Sequence, residues 1–155
     1  MIPRTLLVLH GPNLNRLGRR DPAHYGTDTL PQLEARVAAW AAERGARTIF
    51  VQSNHEGALI DALQHHAGTV DGALVNLGAF THTSYALLDA LLDFGRPVVE
   101  VHLSRLAERE AWRQVSVVRP ACVAAVDGKG VEGYREALEL LLGAIAGGGT
   151  AGRPS

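Results

Sequence analysis

Residues 5–13, Thr5-Leu6-Leu7-Val8-Leu9-His10-Gly11-Pro12-Asn13, decide the fold. The apolar run at 5–9 reads as a buried first strand. In compact α/β units a strand passes into its helix within about 2–6 residues. Here the next segment, Gly11 to Gly26, instead carries three arginines, two prolines, three glycines, two asparagines and Tyr25. A long insertion of this kind is usually functional or disordered. Its charge cluster and lone aromatic favour an active-site lid.

Outward from this stretch, residues 48–52, 73–76, 98–102 and 123–127 are further strand candidates, short and mostly β-branched. Helical spacing links Leu30, Leu33, Val37 and Trp40, with Gly45 as a C-terminal cap. Leu59, Ile60 and Leu63 mark a second helix, Leu87, Leu88, Leu91 and Leu92 a third, and Tyr134, Leu138, Leu141, Leu142 and Ile145 a last one. Five strands alternating with helices predict a doubly wound, three-layer α/β/α domain on a five-stranded parallel sheet. One catalytic domain is expected over residues 1–146, with a flexible tail at 147–155.

Composition narrows the function. A net charge of −1 argues against general nucleic-acid binding. No apolar run approaches the length of a membrane span, and the amino terminus runs straight into a strand without room for a signal peptide. A cytoplasmic protein is expected. Cys122 is the only cysteine, so no intrachain disulfide can form. The fifteen basic residues include one lysine, Lys129, in an Asp-Gly-Lys-Gly turn. Schiff-base catalysis needs a desolvated amine and is therefore a poor fit.

In doubly wound sheets, ligands bind beyond the carboxyl ends of the strands. Those ends here carry His10-Gly11-Pro12-Asn13, Gln52-Ser53-Asn54-His55-Glu56, Asn76-Leu77-Gly78-Ala79-Phe80-Thr81-His82-Thr83-Ser84 and Glu100-Val101-His102-Leu103-Ser104. Amides, imidazoles and carboxylates thus gather at one edge. His10, His55, His82 and His102 come from separate strand ends without a short ligand motif, so no metal site is expected. Acidic residues after the first strand, needed by a phospho-acceptor domain, are missing, as is a glycine-rich phosphate loop.

These segments, with Arg20-Asp21-Pro22 through Tyr25-Gly26, Arg109-Glu110 before Trp112-Arg113, and Gly128 through Gly133-Tyr134, resemble type II 3-dehydroquinate dehydratase over residues 5–146. The resemblance implies a flavodoxin-like fold and a dodecamer built from trimers, without cofactor or metal, that removes water from 3-dehydroquinate by anti elimination through an enolate to give 3-dehydroshikimate. It makes Tyr25 the base. A free phenol ionises near pH 10, so a cation must favour its anion, and the resemblance gives that role to Arg20. Arg16 and Arg19 are neighbours that spacing alone leaves open. Asn13, with an ordered water, would stabilise the enolate. His102 would be the acid, polarised by Glu100, which shares its strand face. Asn76, His82 and Arg113 would bind the substrate's hydroxyls, and the backbone amides of Leu103 and Ser104 its carboxylate. Asp89 would come from a neighbouring subunit. Leu77, Phe80, Arg16, Trp112, Asp127 and Lys129 depart from the usual pattern, but no residue assigned to chemistry is missing. Arg109 and Arg113, close to Glu108 and Glu110, read as a solvated helix.

Overall fold

The computed structural model describes residues 2–148. Five parallel strands, β1 (Arg4–His10), β2 (Ala46–Gln52), β3 (Gly72–Asn76), β4 (Val98–Val101) and β5 (Ala124–Val126), form one sheet in the order β2-β1-β3-β4-β5. A short helix α1 (Pro22–Tyr25) and four longer ones, α2 (Leu30–Glu43), α3 (Glu56–His66), α4 (Tyr85–Phe94) and α5 (Glu132–Ala146), complete the architecture. This is the flavodoxin-like arrangement, and its order reverses between β1 and β3. The tail expected from residue 147 lies outside the described residues from Gly149 onward.

The continuous apolar run of β1 follows from its position. Leu6 and Val8 pack with Leu33, Val37, Tyr134 and Leu138 of α2 and α5. Leu7 and Leu9 pack on the other face with Leu59, Leu63, Leu87 and Leu91 of α3 and α4. Each fully buried side chain of this kind contributes about 1.5–3 kcal/mol, so a strand buried on both faces carries apolar residues throughout.

The helices start where their side chains can satisfy free backbone donors. At α2, Thr29 Oγ1 accepts from Gln32 N at 3.3 Å and Gln32 Oε1 accepts from Thr29 N at 2.9 Å, a reciprocal cap. At α4, Ser84 Oγ accepts from Leu87 N at 2.9 Å. Gly45, at φ 70°, follows the end of α2 as expected. One helical position differs: Ala41 completes the buried stripe of α2, while Trp40 is only partly buried, with the Arg36 and Arg135 guanidiniums over its ring.

Two loop expectations are also corrected. Residues 11–26 are not structureless, for they contain a 3-10 turn at Leu14–Arg16 and helix α1. Leu14 and Leu17 anchor the first part in the core. The stretch around Arg109 and Arg113 is not one solvated helix. It forms two 3-10 turns, Leu106–Glu108 and Ala111–Arg113, separated by an extended Arg109.

At the end of β1, His10 is fully buried, with its ring stacked on Phe50 at 6.0 Å. Neither ring nitrogen has a hydrogen-bond partner, and Glu34 Oε2 stands 3.8 Å from Nε2, beyond bonding distance. Burial lowers the imidazole's pKa from 6.5 to about 4. The unfolded chain therefore binds this proton first as pH falls, and stability is lost between pH 6.5 and about 4. Glu34, whose carboxyl is raised by burial, works in the opposite direction above pH 4.5. Denaturant unfolding of wild type and His10→Phe across this range should differ in slope, with an excess loss on the order of 3 kcal/mol in wild type. Parallel profiles would show that His10 is not held neutral.

Candidate active site

The crevice forms where the sheet order reverses. Gly11 N donates to Asn76 O at 2.7 Å, joining the ends of β1 and β3. A Cβ at Gly11 would lie 2.3 Å from the Leu77 carbonyl, so only glycine allows this approach. The chain then turns through Pro12 and Asn13 to form one wall of a cleft. Asn76 and His82 line it from β3 and the following 3-10 turn, and His102, Leu103 and Ser104 from the end of β4. Arg20 and Tyr25 line it from the 11–26 loop, and Arg113 from beyond β4.

Nine of the eleven residues expected at the site thus meet in one cleft. Glu100 and Asp89 do not line it. Glu100 lies behind His102, 2% exposed, and Asp89 is exposed on α4.

His102 Nε2 lies 2.7 Å from Glu100 Oε1. A carboxylate oxygen accepts, so Nε2 carries hydrogen and Nδ1 is the nitrogen left for other chemistry. Ser116 Oγ donates to the same Glu100 oxygen at 2.6 Å and accepts from Arg119 N at 3.1 Å. Burial pushes the Glu100 carboxyl up, but the bonds from His102 and Ser116, with the charges of His102 and Arg119, outweigh it. The carboxyl is held below its usual range.

His82 Nδ1 lies 2.8 Å from the Val115 carbonyl and must donate to it, which leaves Nε2 as the acceptor of the neutral ring. Its pKa is lowered, by burial first and then by the His102 and Arg113 charges, against the opposing Val115 bond and Glu100 charge. The carbonyls of Leu103 and Ser104 accept from Gly130 N and Gly128 N at 3.2 and 3.1 Å. Asp127 Oδ2 accepts from Leu106 N at 2.7 Å. The turn after β5 therefore braces this wall.

Tyr25 is held by two arginines. The Arg20 guanidinium lies over its ring, 3.7 Å from the centroid, while Arg109 Nη2 donates to Tyr25 Oη at 3.1 Å. Arg109 Nη1 also donates to Ser104 Oγ at 3.0 Å, and its side chain is only 7% exposed. The Arg20 pKa is lowered by burial and by the Arg113 and Arg109 cations, despite the attraction of Tyr25. Three guanidiniums so close together favour anionic groups between them.

Arg109 and Ser116 are two residues of this network to which the sequence gives no role in the site. Arg109 had a signal, its place in the Arg-Glu-x-Trp-Arg segment, but its spacing suggested only surface pairs. Ser116 had none, because its partner is 16 residues away on another element. Among the described residues, no three His, Cys, Asp or Glu side chains are grouped to hold a metal ion.

A doubly wound fold with an imidazole–carboxylate pair, an arginine-held phenol and a cationic cleft at its switch point is the build of an α/β enzyme suited to a small anionic substrate. A sequence model of the family described as dehydroquinase class II matches residues 4–142. The 3-dehydroquinate dehydratase of Bacillus pumilus is 49% identical over 136 residues, covering 88% of this chain and 92% of the relative. The catabolic 3-dehydroquinase 1 of Aspergillus terreus is 46% identical, covering 89% and 91%. The crystal structure of type II dehydroquinase from Butyrivibrio crossotus superposes with a TM-score of 0.88 at 38% identity, over 90% of this chain and 98% of that one. The chain belongs to the class II dehydroquinase family.

The Ser116 bond to Glu100 is open to direct test. Ser116→Ala should lower the unfolding free energy at pH 7 by roughly 1.5–3 kcal/mol, the usual worth of a hydrogen bond to a charge. Because the Glu100 pKa is depressed, its ionic stabilisation is present above pH 4.5 and lost as pH falls through the lower folded value. The deficit of the variant should therefore shrink in acid. Urea titrations at both pH values would refute the bond's role if the deficit were absent or constant.

Proposed function

We propose that this protein dehydrates 3-dehydroquinate to 3-dehydroshikimate in the shikimate pathway, by anti elimination through an enolate. The observation that carries the proposal is the shared cleft of Tyr25, held by Arg20 and Arg109, and His102, backed by Glu100. Tyr25, as phenolate, takes the proton from the carbon beside the ketone. The two guanidiniums favour that anion. The electron pair left on carbon moves to the ketone oxygen, where the Asn13 amide, with a water, stabilises the developing charge.

Collapse of the enolate expels the tertiary hydroxyl as His102 delivers a proton to it, from Nδ1 once the ring is charged. The Glu100 carboxylate at Nε2 stabilises that charged imidazole. Water and a conjugated enone are the products, and Tyr25 must return its proton while His102 regains one. Asn76, neutral His82 through Nε2, and Arg113 would hold the substrate's hydroxyls. The backbone amides of Leu103 and Ser104 would hold its carboxylate. Each step is a proton transfer or hydrogen bond supplied by side chains, so the chemistry calls for no cofactor or metal.

The proposal includes a dodecamer of trimers in which Asp89 reaches a neighbour's cleft. Tyr85, one turn before Asp89 on the same face of α4, is 68% exposed, which suits a covered face. It also includes one catalytic unit through residue 146 and a cytoplasmic setting.

Purified protein mixed with 3-dehydroquinate in the presence of a chelator should show the rising ultraviolet absorbance of the enone. Absence of that rise would sink the proposal. Tyr25→Phe should reduce kcat by about 10²–10⁴-fold, the usual contribution of a positioned base, and wild-type turnover would remove Tyr25 from the mechanism. Light scattering should return roughly twelve times the 16.5 kDa chain mass. A mass near one chain would contradict the assembly and the role of Asp89.

A further inference from the structure

Among the described residues, Asn13 is the only non-glycine residue with positive φ, at 69°. Asparagine enters this left-handed region more readily than most residues, but the conformation still has to be held by its surroundings. The Asn13 carboxamide does not hold it through a cap, for that side chain makes no bond to the following 3-10 turn, and the residue lines the cleft. The restraint comes from β2. Asn13 N donates to Asn54 Oδ1 at 2.9 Å. Gln52 Nε2 donates to that same oxygen and to the Gly11 carbonyl, each at 3.2 Å. Gln52 ends β2 and pairs in register with His10, so the clamp reaches across from the neighbouring strand end.

We propose that Asn54 and Gln52 are positioning residues. They hold Asn13 in its left-handed backbone so that its carboxamide faces the cleft. Neither lines the cleft itself. The inference rests on the dehydration proposed above, in which Asn13 acts on the enolate.

The chemistry of the clamp is one-sided. Both bonds at Asn54 use its oxygen, because a backbone N–H and an amide N–H point at it. Both bonds at Gln52 use its nitrogen, because the Gly11 carbonyl can only accept. Changing each amide to the isosteric acid therefore has opposite consequences. Asn54→Asp keeps the acceptor. Gln52→Glu replaces the donor with an oxygen facing two other oxygens.

The test combines steady-state kinetics on 3-dehydroquinate with hydrogen exchange at the Asn13 amide of the free protein. Asn54→Ala should lower kcat by about 10–100-fold, the scale of a misplaced catalytic group. KM should stay within about threefold, since the stabilised charge develops only during reaction. Exchange at Asn13 should accelerate. Gln52→Glu should behave like Asn54→Ala, whereas Asn54→Asp should retain exchange protection and most of kcat. The inference is overturned if Asn54→Ala keeps wild-type kcat and protection, or if Asn54→Asp is as impaired as Asn54→Ala. If the wild type does not turn over 3-dehydroquinate, the dehydration proposal fails. Exchange still decides the clamp: protection lost in Asn54→Ala and kept in Asn54→Asp supports it, and any other pattern refutes it.

Discussion

The contact between Gly11 and Leu77 is the constraint on which the site depends. β1 and β3 are hydrogen-bonded neighbours, yet the chain leaves them toward opposite faces of the sheet. Their ends can meet, with Gly11 N on Asn76 O, only because no side chain stands between them. Past that point the two segments diverge, and the divergence opens the cleft. Pro12 and Asn13 then follow one wall, Asn76 and Gly78 the other. The polar groups at the strand ends occupy that edge because the backbone there has left the ladder and can take side-chain partners.

Charge governs what the cleft can accept. Arg20, Arg109 and Arg113 converge in the cleft, and Arg20's pKa is lowered first by burial and then by the cations beside it. Glu100 faces the opposite situation. Its burial alone would favour the neutral acid, but three donors or cations overcome that tendency. A cationic wall of the cleft and an anion buried behind its imidazole are thus separately compensated. On the proposed mechanism, such separation would let one site serve a phenol base and an imidazole acid at once.

The sequence made the sheet legible because the strands are short apolar runs and each is followed by polar residues. Every strand lies within two residues of its expected bounds. The catalytic candidates were legible through motif resemblance, and the fold supplies the geometry that places most of them together. What periodicity could not show was pairing across the chain. Tyr25 and Arg109 are 84 residues apart, and Asn13 and Asn54 are 41 apart. Arg109 read as a solvated helix because local spacing reports only local neighbours. Its extended backbone instead sends the guanidinium inward to Ser104 and Tyr25. Asn54 stood in a recognisable strand-end motif without an assigned task, since its partner is a backbone N–H that no side-chain pattern reveals.

The two arginines on Tyr25 divide the work in a way that bears on the lid. Arg20 and Tyr25 belong to the same loop, joined by the short helix α1. Asp21 caps that helix, its Oδ1 accepting from Ala23 N at 3.0 Å. Their stacked contact is internal to the loop and moves with it. Arg109 belongs to the body of the protein, fixed by Ser104 in the wall that would hold the substrate carboxylate. A lid that lifts away must break the Tyr25 bond to Arg109 but keeps the Arg20 stack. The phenol oxygen thus gains its hydrogen-bonding cation only when the lid is down. On the proposed mechanism, closing that lid would do more than exclude water: it would complete the base, through the same wall that would hold the substrate.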